Sequence, residues 1–332
     1  MKENPKKRRT EFWVAMAFLL PNFIGFVAFT AGPVLFSLLM SFTNWNLQHT
    51  IPLKFNGVSN YIELLSSANF WLFFINTIYL MLGIPVAIAG SLFLALLLTQ
   101  NLRGIVLFRT MFYLPTITSG IALMILWKAL LNPQFGPINF AIEWFLRTFG
   151  INKLLTMLFD IMISPPQWLL STHNLLGIDI EQLRFNAQQW GIGARDAFIM
   201  MGVWIAIGGN NMLLYIAALS NVPRDLQEAA SIDGAGKWAT FWNVTWPQLA
   251  PTTFFIVVIS FIGGLQGGFD QARVMTQGGP AGTTTTITYH IYQKGFEEFK
   301  IGYASAISWF LFILIFVITL INWRFGNKEI NY

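Results

Sequence analysis

The sequence predicts an all-α integral membrane protein of about six transmembrane helices, with a long amphipathic segment outside the bilayer. Three observations carry that prediction. Of the 332 residues, 55% are hydrophobic and only 11% charged, and mean hydropathy is +0.57, whereas a soluble domain carries about a quarter charged residues. Six apolar stretches each approach or exceed the roughly 20 residues that a helix needs to cross a hydrocarbon core of about 30 Å. The 32 Phe and 13 Trp residues suit lipid-facing surfaces and interfacial belts. Cysteine is absent, which excludes disulfides, thiolate metal sites and Cys nucleophiles. No basic stripe supports a nucleic-acid partner.

The six spans fall at about 12–33, 70–98, 110–131, 197–219, 252–269 and 301–323. Unpaired amides cannot be left in lipid, so their backbones must be helical. The first follows Lys6-Lys7-Arg8-Arg9. Its apolar run is longer than the 7–15 residues or so of a signal peptide and has no small-x-small cleavage site, so it reads as a retained helix after a basic N-terminus, residues 1–11. The membrane domain then covers 12–323, and 324–332 is a short tail. The fourth span qualifies although its centre reads Gly208-Gly209-Asn210-Asn211.

Between the spans, residues 43–69 form a first outer loop with a turn at Phe55-Asn56-Gly57. Ser59-Asn60 then open a helix, since either side chain can cap the following amides. Residues 132–195 are long for a connection between two spans. Within them 138–163 is apolar but holds Glu143, Arg147, Lys153 and Asp160. Insertion would gain about 6 kcal/mol from its Leu, Ile and Phe side chains and lose about 10 kcal/mol to the four charges. The charges win, so this region reads as amphipathic helices on or just outside the membrane. Pro165-Pro166 separate it from a more polar part ending near Arg195. Residues 270–300 form a third outer loop, with Gly278-Gly279-Pro280 followed by Thr283 to Thr286. Six spans put both termini on one side. Placing the termini, the 99–109 turn and the 220–251 loop inside collects eleven Lys and Arg residues there, so both termini are expected in the cytoplasm.

The loop 221–251 reads NVPRDLQEAASIDGAGKWATFWNVTWPQLAP. Pro223 suits the first turn of a helix, and Leu226, Ala229, Ala230 and Ile232 recur at helical spacing. Gly234 and Gly236 then stop or bend the chain. Trp238, Phe241, Trp242 and Thr245 resume the helical spacing until Pro247. On its own this is an amphipathic hairpin between two spans. The pattern Glu228-Ala229-Ala230, three positions, Gly234-Ala235, with Phe241 and Pro247 following, resembles the EAA loop of bacterial ABC-importer permeases of the binding-protein-dependent type. Its Asp233-Gly234-Ala235 form looks like the carbohydrate-uptake branch.

The resemblance covers nearly the whole chain: Phe18-Leu19-Leu20-Pro21, Ser41-Phe42-Thr43-Asn44-Trp45, Asn60-Tyr61, Asn76-Thr77, Phe108-Arg109, Leu114-Pro115, Trp127, Phe269-Asp270, Met275-Thr276, Gly278-Gly279-Pro280 and Gly302-Tyr303-Ala304-Ser305-Ala306. The departure is 138–195, longer than the family pattern. The resemblance implies a multi-pass subunit of the bacterial inner membrane that forms half of a sugar pathway, first of all for an oligosaccharide. A monosaccharide or a glycerol-phosphate-like solute follows. It implies a second, homologous permease subunit, two ATPase subunits and an extracytoplasmic solute-binding protein. By resemblance Glu228 and Asp233 are polar anchors for the ATPase, Ala229, Ala230 and Ala235 allow close approach, and Gly234 permits the bend.

The chain has no G-x-x-x-x-G-K-[ST] phosphate loop, so ATP and Mg are expected on the partner ATPase, with no cofactor in this chain and no enzyme activity of its own. His49, His173 and His290 are far apart in sequence and form no catalytic motif. For substrate contact, Asn210 and Asn211 at mid-depth face either a partner helix or a cavity. Asn76, Gln266 and Asp270 are further candidates, and Trp204 and Tyr215 offer faces that could stack on sugar rings. Lys128 near a helix end can snorkel. An ion-coupled secondary transporter is the rival class, but such folds carry internal repeats and intramembrane acidic residues, and neither is visible here.

Overall fold

The computed structural model describes residues 5–48, 50–100, 103–159, 164–180 and 184–326. Of the positions singled out above, residues 1–4, His49, Asp160 and the tail beyond 326 lie outside the described residues. Five helices are long and apolar enough to cross a membrane: Phe12–Ser41, Ala68–Leu98, Ala194–Ser220, Lys237–Thr276 and Ile301–Asn322. They are the first, second, fourth, fifth and sixth spans. The third is a pair of helices, Ile105–Ile117 and Gly120–Leu130, bent by 97° at Thr118-Ser119.

That bend corrects the straight span expected over 110–131. Pro115 takes one N–H out of the ladder near the helix end, and the backbone turns extended at Thr118 (φ −73°, ψ 145°) and at Ser119 (ψ 124°). The Thr118 hydroxyl donates to the Leu114 carbonyl at 2.9 Å, satisfying one acceptor that the broken helix leaves open.

The fifth span also differs from expectation. It begins at Lys237 rather than 252, and Pro247 does not interrupt it. A proline ring clashes with the carbonyl four residues back. Here the turn before it widens into a π-turn, Phe241–Thr245, with the Trp246 N–H reaching the Phe241 carbonyl five residues back. The first span repeats the device: Val27–Ala31 is a π-turn, and the Gly32 N–H reaches Val27 just before Pro33.

The chain divides into two compact units, Met1–Ser67 with Ile291–Phe312 and Ala68–His290 with Ile313–Tyr332. In the smaller unit the helix Ser59–Ser66 packs at the end of the first span. Asn60 does not cap its own helix. It is buried, and its amide donates to the Ser41 carbonyl at 2.8 Å and the Thr43 carbonyl at 2.9 Å, closing the C-terminal end of the first span. Tyr61 donates to the Ser41 hydroxyl at 2.8 Å. Gly302 donates its N–H to Trp45 at 3.0 Å, and a Cβ there would lie 2.2 Å from the Thr43 carbonyl oxygen. Only glycine allows that approach.

In the larger unit the second and fourth spans pack through small residues. Gly83, Ala87, Gly90 and Ser91 share one face of the second span, and Ile199, Val203 and Ile207 lie against the two glycines. Ser91 donates to Ala87 and approaches the Ala206 carbonyl at 3.1 Å. Small residues of this kind let membrane helices approach closely. Residues 137–159 form two short helices, Pro137–Thr148 and Ile151–Phe159, separated at Gly150. Asn139 anchors them, accepting from the Trp168 indole at 2.6 Å and donating to the Pro133 and Pro166 carbonyls at 3.2 Å. Within 270–300, Thr283 to Thr286 are all buried and Ile287–Tyr292 is helical.

Replacing Asn60 with Leu leaves two buried carbonyls without donors, at about 1–3 kcal/mol each. The apparent unfolding temperature in detergent should fall by several degrees for Asn60→Leu. An unchanged midpoint would contradict the tie described here.

Candidate functional site

The segment after the fourth span forms a helix, Arg224–Ile232, with Pro223 immediately before it rather than inside it. Its end is a Schellman motif: the Gly234 N–H reaches the Ser231 carbonyl at 3.1 Å and the Ala235 N–H reaches the Ala230 carbonyl at 2.9 Å. Gly234 takes φ +79°, the left-handed region that glycine enters without strain. A Cβ added there would meet nothing within 4 Å, so the space beside it is open. No residue of Arg224–Ile232 is buried, and Ile232 is 86% exposed. Glu228 and Asp233 are exposed and make no ion pair among the described residues. This helix therefore carries an apolar face, with Leu226, Ala229 and Ile232, that the chain itself does not cover. Trp238, Phe241, Trp242 and Trp246 follow as a ladder of stacked, edge and tilted contacts, ring centroids 5.2–6.4 Å apart.

A cavity of about 340 Å³ opens between the second, fourth and fifth spans. Glycines form much of its wall, and Asn211, Ser260 and Gln271 supply its polar side chains. A Cβ added at Gly202 or Gly263 would meet nothing within 4 Å, so these two residues border open space, whereas Gly83 and Gly264 are pressed against neighbouring side chains. Of the residues expected to touch substrate, Asn211 alone lines this cavity. Asn210 accepts from the Tyr113 hydroxyl at 3.2 Å. Two residues before it is Gly208, whose missing Cβ lets the Phe112 carbonyl come within 2.1 Å of the Cβ position. Trp204 is half-exposed and meets Trp127 edge-on at 5.5 Å. Tyr215 is wholly buried, its hydroxyl donating to Thr253 at 3.2 Å. Gln266 and Asp270 are exposed and do not line the cavity. Ser260, Gln271, Gly202 and Gly263 were missed. The signal for them was the paired glycines Gly263-Gly264 and Gly267-Gly268 in an otherwise apolar span.

Known proteins were compared with the chain. No family model matches it. It is 30% identical over 321 residues to a probable ABC transporter permease protein, YesP of Bacillus subtilis (strain 168), covering 95% of this chain and 91% of that protein. The chain belongs to the ABC transporter permeases. It is also 30% identical over 280 residues to the sn-glycerol-3-phosphate transport system permease protein UgpA of Yersinia enterocolitica, covering 84% and 82% of the two chains. Among solved structures, a bacterial ABC transporter involved in the import of the acidic polysaccharide alginate superposes with a TM-score of 0.76 at 22% identity, over 99% of this chain and 100% of that one. The same kind of transporter, in complex with an alginate pentasaccharide-bound periplasmic protein, gives 0.71 over 95% and 94%. The fold is therefore that of an ABC importer permease.

In this ABC permease Asn76 is held by its own chain. It is wholly buried, and both amide hydrogens are used, on the Gly282 carbonyl at 2.9 Å and the Thr285 carbonyl at 3.1 Å. Its oxygen accepts from Arg195 Nε at 3.1 Å, which also donates to the Thr283 carbonyl at 3.0 Å. Asp196 accepts from the Tyr79 hydroxyl at 2.7 Å and from the N–H groups of Gly193 and Leu175 at 3.0 and 3.2 Å. Thr77 accepts from the Ile287 N–H at 3.1 Å. The network ties the second span, the start of the fourth and the Thr283–Thr286 segment, and in this conformation its atoms serve structure rather than solute.

Asp196→Ala removes the acceptor for three donors, the Tyr79 hydroxyl and the N–H groups of Gly193 and Leu175, at about 3 kcal/mol or more. Its thermal midpoint in detergent should fall well below that of Asp196→Asn, whose one amide oxygen can still accept from the N–H groups of Gly193 and Leu175. Equal midpoints for the two variants would contradict the network's role.

Proposed function

We propose that the chain is the membrane-spanning permease subunit of an ATP-driven importer that takes up a sugar, first of all an oligosaccharide, delivered by an extracytoplasmic solute-binding protein. It pairs with a second, homologous permease and with two ATPase subunits, which bind ATP and Mg. Both termini and the Arg224–Ile232 helix face the cytoplasm of the bacterial inner membrane. The single observation that carries the reading is that helix: short, amphipathic, capped by a rigid Schellman turn, and buried nowhere in its own chain. Such an element needs a partner surface, and its rigid cap suits it to pass a nucleotide-driven movement on to the spans as rigid-body motion. Family membership and the relative that carries sn-glycerol 3-phosphate support an importer and keep a glycerol-phosphate-like solute as the second reading.

In docking, Glu228 and Asp233 act as polar anchors, Ala229, Ala230 and Ala235 allow close approach, and Gly234 both caps the helix and leaves room for the partner. The two roles of Gly234 can be separated. Asn tolerates the left-handed conformation far better than branched residues do, so Gly234→Asn keeps the turn and adds bulk only toward the open side. The expected result is normal membrane insertion with uptake of the transported sugar reduced at least tenfold. Wild-type uptake by Gly234→Asn would count against docking at this face.

A further inference from the structure

A groove of about 690 Å³ runs under the aromatic ladder, between the second span and the start of the fifth. One wall is a single stripe of the second span, Ile84, Ile88, Leu92 and Leu96. The other is formed by Trp238, Trp242 and Trp246, with Phe261 further along the fifth span. Among the described residues the lining holds no charged or amide side chain. Apart from the indole N–H groups, its one polar side-chain group is the Tyr215 hydroxyl, which is taken up by Thr253 at 3.2 Å. A charged or hydroxylated solute finds nothing to bond to along this floor and would lose its hydration there. The groove therefore calls for an apolar occupant.

Length and width decide between a helix and a hydrocarbon chain. Ile84 lies next to the midpoint of the span Ala68–Leu98 and Leu96 lies near its end, a rise of about 18 Å. One leaflet contributes about half of the roughly 30 Å hydrocarbon core, so the groove runs the depth of one leaflet. Spread over that length, 690 Å³ leaves a cross-section of about 40 Å². A helix with its side chains is about 10–12 Å across and needs about twice that area or more, whereas an acyl chain has no side chains to accommodate. The end beside Leu96 suits the rest of such a lipid. Trp238 and Trp242 stand exposed there, and the indole N–H groups of all three tryptophans make no hydrogen bond among the described residues. Indoles with an apolar body and a free N–H favour the membrane–water boundary. Lys237 adjoins Trp238 and makes no ion pair among the described residues, and the Arg109 guanidinium donates to the Leu98 carbonyl at 2.7 Å. Two cations thus stand at the end where a phosphate would lie.

We infer that this groove holds one acyl chain of a phospholipid from the leaflet on the side of the Arg224–Ile232 helix, with its phosphate at Lys237 and Arg109. The chain packs the indoles against the second span and so steadies the start of the fifth. This inference rests on the membrane placement of the spans and not on the solute carried.

The test uses the full chain, made together with its partner subunits, in vesicles of equal parts phosphatidylethanolamine and phosphatidylglycerol. A fraction of the phosphatidylglycerol carries a photoreactive diazirine at mid-chain, and after illumination the adducts are mapped by peptide mass spectrometry. Residues 84–96 and 238–246 should carry adducts severalfold above those at Ile313 and Val317, an exposed apolar stripe of the last span. Ala89→Trp, at an exposed position of the groove wall, fills the groove. It should cut the groove adducts severalfold and leave those at Ile313 and Val317 unchanged, with the subunits still co-purifying. Groove adducts in the unsubstituted chain no higher than at Ile313 and Val317 mean lipid contact without a site and overturn the inference. Undiminished groove adducts in Ala89→Trp do the same. Ala89→Cys, the one thiol in a chain without cysteine, then takes a maleimide photo-cross-linker. Capture of the second permease by that probe would put a partner helix in the groove and also overturn the inference.

Discussion

A backbone amide in hydrocarbon has no water to turn to, and each unpaired N–H or carbonyl there costs several kcal/mol. The irregularities of this chain are arranged around that constraint. Pro33 and Pro247 each remove a donor, and each is preceded by a π-turn in which the residue before it bonds five back instead of four. Where the first span ends, the Asn60 amide supplies donors to two carbonyls. Where the Thr283–Thr286 segment runs without helical bonds, Asn76 and Arg195 supply them from two other elements. The few strongly polar residues in these apolar helices are largely devices for closing backbone that the helices cannot close themselves.

That explains which parts of the site were legible in the sequence. Hydropathy and span length locate the helices because lipid tolerates little else, and the energy balance over 138–163 turns on four charges, whose cost of about 10 kcal/mol exceeds the gain of about 6 kcal/mol from its apolar side chains. The short patterns Ser41–Trp45, Asn60-Tyr61 and Gly302 are recognisable in sequence but have no evident reason there; in space they meet in one unit, and the reason is carbonyl satisfaction and one approach too close for a Cβ. Sequence gives the depth of Asn76 but not its partners, so its bonds to Gly282, Thr285 and Arg195 were not legible there. The bend at Thr118-Ser119 was missed for a related reason: Pro115 signals a weakened helix, but which way the freed chain turns depends on what packs around it. Gln271 and Ser260 were invisible because neither stands out until the paired glycines beside them are seen to border a cavity.

Against this tightly closed interior, the Arg224–Ile232 helix stands apart. Its C-terminal end is closed by a Schellman cap, yet its apolar side chains are not covered, so that end is fixed without being packed. A flexible loop would dissipate a movement imposed on it, and a buried one could not receive it. The continuation of helix from Lys237 through Pro247 gives the cap a stiff connection into the fifth span, whose Ser260 and Gly263 border the cavity. One helix, Lys237–Thr276, thus runs from just after the capped turn to the cavity wall.

The account depends above all on which side of the membrane that capped helix occupies. Lys237, exposed at the start of the Lys237–Thr276 helix, can be replaced by cysteine in a chain that has no other. An impermeant thiol reagent added to intact cells should leave Lys237→Cys unmodified and should label it once the membrane is opened. Labelling from outside intact cells would place the helix on the wrong face and contradict the account.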